Sequence, residues 1–260
     1  MKIVVLVKEV PDTWGDRKLN LETGLADRAA SESVLDEIGE RAIEVALSYA
    51  DAHADTDVTL LTMAPEKALA TIRKGLAMGA ARAVHVVDEA LLGADLGLTA
   101  EVLAATLRRH RFDLVIAGNA STDGAGGVIP AMVAELLNVP HATGLNEIEI
   151  TDTFVSGTRP VDGGVQRVSA NLPAVVSITE ALPDARFPNF KGIMASKKKP
   201  VESVSLTDLG LGPDNGTSAA RSIMLSVDEK PPRAAGVKID DGDGGAAAKL
   251  AAFLVENRLA

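Results

Sequence analysis

Continuous apolar runs in the first half of the chain predict strands that are buried on both faces. The runs are short, rich in β-branched residues and not interrupted by polar positions, which is typical of inner strands of a parallel sheet. They lie at residues 3–7, 58–61, 83–87 and 114–117. Between them, apolar residues recur at three- and four-residue spacing over 34–49, 66–78 and 98–107, which predicts amphipathic helices. This alternation predicts a doubly wound, mostly parallel α/β sheet over about the first 140 residues.

The pattern changes near Leu145. Apolar and polar residues then alternate, and glycines at 157, 163 and 164 break the segments, which predicts an added region of antiparallel hairpins. Residues 172–178 predict one more inner strand, residues 208–217 a linker, and residues 246–259 a final helix preceded by acidic residues 240–243. We therefore predict an α/β domain of residues 1–200, followed by a C-terminal extended arm and helix over 201–260.

Composition narrows the classes of function. Among the 260 residues only 3% are aromatic, and the net charge is −10, so a nucleic-acid partner is not expected. The chain has no cysteine, which excludes disulfides, Cys-ligated metal and a thiol nucleophile. The sequence start is not typical of a signal peptide, and no apolar run approaches the length of a membrane span. We expect a soluble cytoplasmic protein.

Familiar catalytic motifs are missing from the sequence. It contains no Gly-x-Ser-x-Gly elbow, no His-Glu-x-x-His pair and no Gly-x-x-x-x-Gly-Lys-[Ser/Thr] loop. The four histidines are scattered, and the acidic residues at 240–243 lack the downstream glutamate of a calcium loop. We therefore expect neither a catalytic residue nor a metal site in this chain.

A glycine-rich stretch after the fourth apolar run is the first candidate ligand site. It reads Gly118, Asn119, Ala120, Ser121, Thr122, Asp123, Gly124, Ala125, Gly126, Gly127, Val128, Ile129. Small residues between a parallel strand and a helix let an anion approach backbone N–H groups at the positive end of the helix. The stretch also fits an ordinary turn capped by Asp123. Residues 36–39, at a helix start facing the same sheet edge, are candidates for ribose or adenine contacts.

A second candidate surface lies at residues 186–200. Two prolines and a glycine there disfavour a helix, while four large apolar residues are costly to expose. The residues concerned are Arg186, Phe187, Phe190, Ile193, Met194 and the lysines at 197–199. An apolar loop with a cationic rim is typical of a surface for docking another protein. In the alternative interpretation, Phe187 and Ile193 are buried and the lysines form a solvated face.

Several segments spread along the chain also carry a family resemblance. They are 172–176 with Arg186 and the run Ile193-Met194-Ala195-Ser196-Lys197-Lys198-Lys199, the start at 7–12, and segments 72–80 and 118–130, with a weaker match at 233–238. The first of these is similar to the signature of the β subunit of electron transfer flavoprotein. The resemblance covers residues 1 to about 200 and implies the adenine-nucleotide-hydrolase-like form of the predicted fold.

The resemblance implies an electron-carrier subunit, not a stand-alone enzyme. It implies a heterodimer with an electron transfer flavoprotein α subunit that carries most of the contacts to FAD. It also implies that electrons come from flavin dehydrogenases, such as the acyl-CoA dehydrogenases of fatty acid β-oxidation, and pass through a membrane quinone oxidoreductase to the respiratory chain. We expect the predicted C-terminal arm to contact the α subunit.

The same resemblance implies particular site residues. The β subunit holds a structural AMP, and by position its shell comprises Leu6, Asp36, Glu37, Ile38, Gly39, Met63 and the residues from Gly118 to Ile129. Residues 183–195 correspond to the dehydrogenase-recognition loop, in which Phe190 replaces an anchoring leucine. Asp36 and Glu37 stand where the family has neutral residues, so two acidic side chains are expected near a phosphate-bearing ligand.

Two alternatives remain open at this stage. In electron-bifurcating relatives the β-subunit site holds a second FAD in place of AMP. An ATP-using or stress-type nucleotide-binding module could also be built on the same α/β scaffold, because fold alone does not determine function.

Overall fold

The structure is a computed structural model that describes residues 1–15, 17–212, 220–233, 235–242 and 244–259. The strands are β1 (Lys2–Leu6), β2 (Glu9–Pro11), β3 (Ser33–Leu35), β4 (Asp57–Met63), β5 (Arg82–Val86), β6 (Leu114–Gly118), β7 (His141–Leu145), β8 (Glu147–Ile150), β9 (Phe154–Val161), β10 (Gly164–Asn171), β11 (Ala174–Ile178) and β12 (Val201–Val204). The α-helices are α1 (Glu37–Ala52), α2 (Leu69–Met78), α3 (Leu96–Arg109), α4 (Ile129–Leu137), α5 (Phe190–Ser196) and α6 (Ala246–Glu256).

A seven-stranded parallel sheet forms the centre of the larger unit. Its strand order is β12-β5-β4-β1-β6-β11-β7. The chain runs outward from β1 through β4 to β5 and then returns to β6 on the other side of β1, so the strand order reverses between β1 and β6. Strands β8, β9 and β10 form a separate antiparallel sheet, and β2 pairs with β3. The predicted doubly wound α/β fold with added antiparallel hairpins is confirmed.

The central strand is buried on both faces, as its continuous apolar run predicts. Ile3 and Val5 belong to a core beneath α1 and α2, whereas Val4 and Leu6 belong to a second core beneath α3 and α4. Successive side chains of a strand point to opposite faces, so a single run supplies both cores. The antiparallel sheet packs on the first core through Val155 and Ala170.

The first two α-helices begin later in the chain than expected. The helix predicted from residue 34 begins at Glu37, because Val34 pairs with Val10 in the β2–β3 ribbon and Asp36 caps the helix. The helix predicted from residue 66 starts with a 3-10 turn, Glu66–Ala68, before α2. Of the predicted linker at 208–217, residues 213–217 lie outside the described residues.

The chain divides into two compact units, Met1–Leu225 and Ser226–Ala260. This division lies further along the chain than the expected boundary after residue 200, because β12 pairs with β5 at the edge of the main sheet. In the second unit, the Asp241 carboxylate accepts a hydrogen bond from the Ala246 amide at the start of α6, and α6 has no buried side chain. Asp243 lies outside the described residues. No helix in the described ranges is long and apolar enough to cross a bilayer.

The antiparallel sheet offers a test of its packing. A Cβ atom added at Gly157 in β9 would overlap the carbonyl oxygen of Glu147, whereas one added at Gly164 in β10 would meet no atom. We expect Gly157→Ala to lower the free energy of unfolding by about 2 kcal/mol, because backbone must shift to admit the methyl group. Urea denaturation measures the loss. Gly164→Ala is the matched control, and equal stability of the two variants would contradict the packing described.

Candidate functional site

The point where the strand order reverses gathers the predicted ligand residues at one edge of the sheet. Strand β1 ends at Leu6, β4 at Met63 and β6 at Gly118, and both outer strands pair in parallel with β1. Helix α1 begins at Glu37, and an added Cβ at Gly118 would lie 2.8 Å from the Ile38 Cγ2 atom. Gly118 therefore lets the start of α1 lie directly against the end of β6. Ligands of open α/β sheets bind in such a crevice.

Asp36 ties the start of α1 to the glycine-rich stretch. One carboxylate oxygen accepts a hydrogen bond from the Ile38 amide at 3.2 Å, which caps the helix. The other accepts from the Thr122 amide at 2.8 Å and from the Thr122 hydroxyl at 3.2 Å. The Asp36 side chain is buried, and both of its oxygens accept hydrogen bonds from within the protein. Glu37, its neighbour, is exposed. Asp36 is thus oriented by bonds within the protein, whereas the carboxylate beside it lies at the surface.

Asp123 joins the stretch to two cations from the amino-terminal part of the chain. Its side chain is 8% exposed, and its oxygens lie 2.7 Å from Lys8 Nζ and 3.1 Å from Arg28 Nη2. Burial acts to raise the pKa of Asp123, but the hydrogen bond and charge of Lys8, with the Ser121 hydroxyl and the Gly124 amide, hold the pKa at about 2. Asp123 is thus a charged anchor, which goes beyond the local cap expected for an ordinary turn.

Small residues carry the chain from this anchor to α4. Residues 124–128 are exposed, and Ala125 and Gly127 have positive φ angles of 48° and 67°. The amino terminus of α4 has no side-chain cap, and Pro130 lies in its first turn. An uncapped helix start presents backbone N–H groups and a partial positive charge, which suits an anionic group.

The residues present fit a phosphate-bearing nucleotide. The uncapped start of α4, the exposed small residues before it and the cations Lys8 and Arg28 provide N–H groups and positive charge at the end of β6. Arg17 adds a third cation by donating a hydrogen bond to the Thr122 carbonyl oxygen. Sequence reasoning missed these three basic residues as part of the site. The one signal in the sequence is for Lys8, which lies two residues after the end of β1, where the chain enters the crevice.

The recognition loop, residues 183–195, is partly helical, contrary to the expectation from its prolines and glycine. Pro188 precedes the helix, Asn189 caps α5 by accepting a hydrogen bond from the Gly192 amide at 2.8 Å, and Gly192 lies against the Ala77 carbonyl oxygen. The glycine is thus required by a close contact and does not break the helix. Phe187 is 94% exposed and Phe190 79% exposed.

The apolar residues of the recognition loop are therefore not core residues. Ile193 and Met194 are about half exposed, so the interpretation in which Phe187 and Ile193 are buried is wrong. Lys197 and Lys198 are exposed, but Lys199 is not part of a solvated face, because its ammonium group donates hydrogen bonds to backbone carbonyl oxygens of residues 76, 79 and 80.

Arg186 lies at the base of the recognition loop and faces α1. Its guanidinium makes two hydrogen bonds of 2.8 Å to the Glu44 carboxylate and lies 2.9 Å from Asp51. The Arg186 side-chain hydrogen bond is the main reason that the pKa of Glu44 falls from 4.5 to about 2. Glu44 and Asp51 in turn raise the pKa of Arg186.

The histidines and acidic residues do not form a metal centre in the described part of the chain, where no group of three or more potential ligands is found. His85 is buried in β5 with Nε2 2.9 Å from the Ala64 carbonyl oxygen, and burial lowers its pKa. This geometry is that of a core histidine.

The parallel sheet, and the crevice where its strand order reverses, are typical of the class of α/β proteins that bind nucleotides at such a point. The electron transfer flavoprotein domain family matches residues 23–209. An electron transfer flavoprotein subunit beta from Mycobacterium bovis is 46% identical over 250 residues, or 94% of each chain. That from Bacillus subtilis is 32% identical over 250 residues, or 96% of this chain and 95% of the relative.

A third relative comes from a larger assembly. The subunit CarD of the caffeyl-CoA reductase-Etf complex of Acetobacterium woodii is 33% identical over 215 residues, or 82% of each chain. Together these similarities show that the chain belongs to the electron transfer flavoprotein family, among its beta subunits. The resemblance seen in the sequence signature is confirmed.

The Asp36 tie can be tested by stability. We expect Asp36→Ala to lower the free energy of unfolding by about 1–3 kcal/mol, because the variant loses the helix cap and leaves the Thr122 amide without its acceptor. Chemical denaturation measures the change. Glu37→Ala removes an exposed carboxylate one residue away and should change stability little. Equal losses for the two variants would argue against the tie.

The Glu44–Arg186 pair predicts a pH dependence. Because the pKa of Glu44 is lower in the folded chain than its ordinary value, the pair stabilises the fold fully above about pH 4.5 and progressively less as the pH falls toward about 2. Glu44→Gln should therefore destabilise the protein more at about pH 6 than at about pH 3. Denaturation curves at both pH values measure this difference. A deficit that is independent of pH would show that the charge of Glu44 is not responsible.

Proposed function

We propose that this chain is the β subunit of a heterodimeric electron transfer flavoprotein that carries electrons from flavin dehydrogenases to a membrane quinone oxidoreductase. The observation that carries the proposal is the crevice at the end of β1 and β6, in a chain whose family is that of electron transfer flavoproteins. Acyl-CoA dehydrogenases of fatty acid β-oxidation are the proposed donors, and the cytoplasm is the proposed location.

In this proposal the crevice holds AMP as a structural nucleotide. Its shell comprises Leu6, Met63, the start of α1 at residues 36–39 and the residues from Gly118 to Ile129. The uncapped amino terminus of α4 supports a phosphate at residues 124–129, and the small side chains there leave its N–H groups accessible. Asp36 and Asp123 support the shell by their hydrogen bonds within the protein.

The redox chemistry belongs to FAD, bound mainly by the α subunit. When bound, the flavin accepts electrons from one partner and donates them to the next, while the protein supplies position and electrostatics. The contribution proposed for this chain is to complete the flavin site from its side of the heterodimer. Its C-terminal arm and α6, which has no buried side chain, are proposed to contact the α subunit.

The recognition loop is proposed to dock the dehydrogenases. Phe187 and Phe190 are large, apolar and almost fully exposed, and Ile193 and Met194 extend the same short segment. Exposed aromatic anchors surrounded by polar residues are the kind of surface that contributes most to protein–protein binding.

Counting bound nucleotides tests the proposal. We expect co-expression with the α subunit to give a yellow one-to-one heterodimer that releases one FAD and one AMP on denaturation, as measured by flavin absorbance and mass spectrometry of the released molecules. Asp123→Asn removes the anchor charge and should lower the AMP content with FAD retained, because the glycine-rich stretch is then no longer held in place by Lys8 and Arg28. Lys197→Gln, an exposed charge outside the crevice, is the control.

Other outcomes of this count have defined meanings. Two FAD per heterodimer with no AMP would replace the AMP assignment by the electron-bifurcating type. An isolated chain that turns over ATP would support the unrelated nucleotide-binding module. Failure of the two chains to associate, with no flavin bound, would contradict the proposed function as a whole.

A further inference from the structure

The recognition loop is fixed to α1 at its amino-terminal end. The Arg186 backbone N–H donates to Glu44 at 2.9 Å, in addition to the two side-chain bonds, so one carboxylate receives three donors from one residue. Arg41, one turn earlier on α1, donates to the Leu182 carbonyl oxygen and pairs with Asp184. Glu44 is only 15% exposed, so this contact is made largely out of solvent.

The segment that follows the loop is fixed to α2. Lys199 Nζ lies 2.9, 3.2 and 2.7 Å from the carbonyl oxygens of Leu76, Gly79 and Ala80. These oxygens lie at the carboxyl end of α2, where a cation is favoured. In the opposite direction, Arg73 of α2 donates to the carbonyl oxygens of Ser196 and Lys199. One cation of the segment and one cation of α2 therefore fix the carboxyl-terminal end of the loop to α2.

Between the two anchors lies the exposed apolar surface. Helix α5 is capped by Asn189 and lies against α2 where Gly192 meets the Ala77 carbonyl oxygen. Phe190, at the start of α5, is consequently held outward on a short helix that is fixed before and after it. Order of this kind reduces the conformational entropy lost on binding.

We propose that Arg186 and Lys199 are positioning residues that preorganise the recognition loop, and that they do not themselves contact the dehydrogenase. Both belong to the family signature, Arg186 as its separate arginine and Lys199 at the end of its lysine run, where a cation next to exposed aromatic residues is readily taken for a docking contact. Both side chains are engaged within the protein: Arg186 is paired with two carboxylates of α1, and Lys199 has three carbonyl oxygens around its ammonium group. This inference rests on the proposed docking role of the recognition loop.

Glu44→Gln separates the two roles of Arg186, because it weakens the anchor and leaves the arginine itself intact. The test uses the heterodimer with its bound FAD. Hydrogen–deuterium exchange reports the order of residues 187–195 without any partner, and reduction by a medium-chain acyl-CoA dehydrogenase with octanoyl-CoA reports docking. We expect exchange in the loop and the KM for the heterodimer each to rise about tenfold, with little change in kcat, because docking must then pay for ordering.

Lys199→Met provides the equivalent test at the other end. We expect faster exchange over residues 190–196 and a higher KM. Lys198→Met is its matched control, since Lys198 is the exposed neighbour in the same lysine run and should leave exchange unchanged. If Lys198→Met and Lys199→Met increase exchange equally, the anchoring role of Lys199 is overturned.

The remaining outcomes separate this inference from the proposed function. If Glu44→Gln speeds exchange but leaves KM unchanged, the order of the loop does not control docking and the positioning role is overturned. A lowered KM would show that the released Arg186 contacts the dehydrogenase directly, which also overturns it. Unchanged exchange overturns it as well. Phe190→Ala is measured in parallel: a raised KM with FAD retained supports docking by the loop, whereas an unchanged KM overturns the docking role itself, whatever the exchange data show.

Discussion

Pairing of β1 on both of its edges is the constraint on which the rest of the structure depends. Because β4 and β6 both lie parallel to β1, their carboxyl ends and the segments that follow them must meet at one edge of the sheet. The chain reaches these strands from opposite directions, which opens a crevice between them. The apolar run of β1 supplies side chains to both cores, so the position of β1 between β4 and β6 is set by burial and does not depend on a ligand.

Charge serves mainly to hold loops onto this scaffold. The chain carries a net charge of −10, yet cations surround both candidate functional segments. Lys8 and Arg28 meet Asp123 beside the crevice, and Arg186 meets Glu44 below the recognition loop. In both cases the pKa of the carboxylic acid is about 2, so each ion pair persists throughout the neutral pH range. Exposed apolar and small residues are thereby left for ligands and partners.

Most of the fold and the location of the crevice could be predicted because their signals are local. Runs of apolar residues identify the inner strands, and the glycine-rich stretch after β6 identifies the loop. The anchors could not be predicted, because their partners are far apart in the chain: Lys8 and Asp123 are separated by 115 positions, and Glu44 and Arg186 by 142. Helix α5 was missed for a related reason, since Gly192 is required by its contact with Ala77 of another helix.

Helix α1 connects the two candidate segments. At its start, Asp36 holds the loop that follows β6 through Thr122, and further along the same helix Glu44 and Asp51 hold Arg186. The apolar side of α1 packs in the first core, so both anchors attach a surface segment to a helix that is itself fixed on the sheet. A loop fixed in this way needs no large apolar core of its own. Residues 119–128 can therefore remain small, and the recognition loop can keep its phenylalanines exposed, because both segments are held to α1 and the recognition loop also to α2.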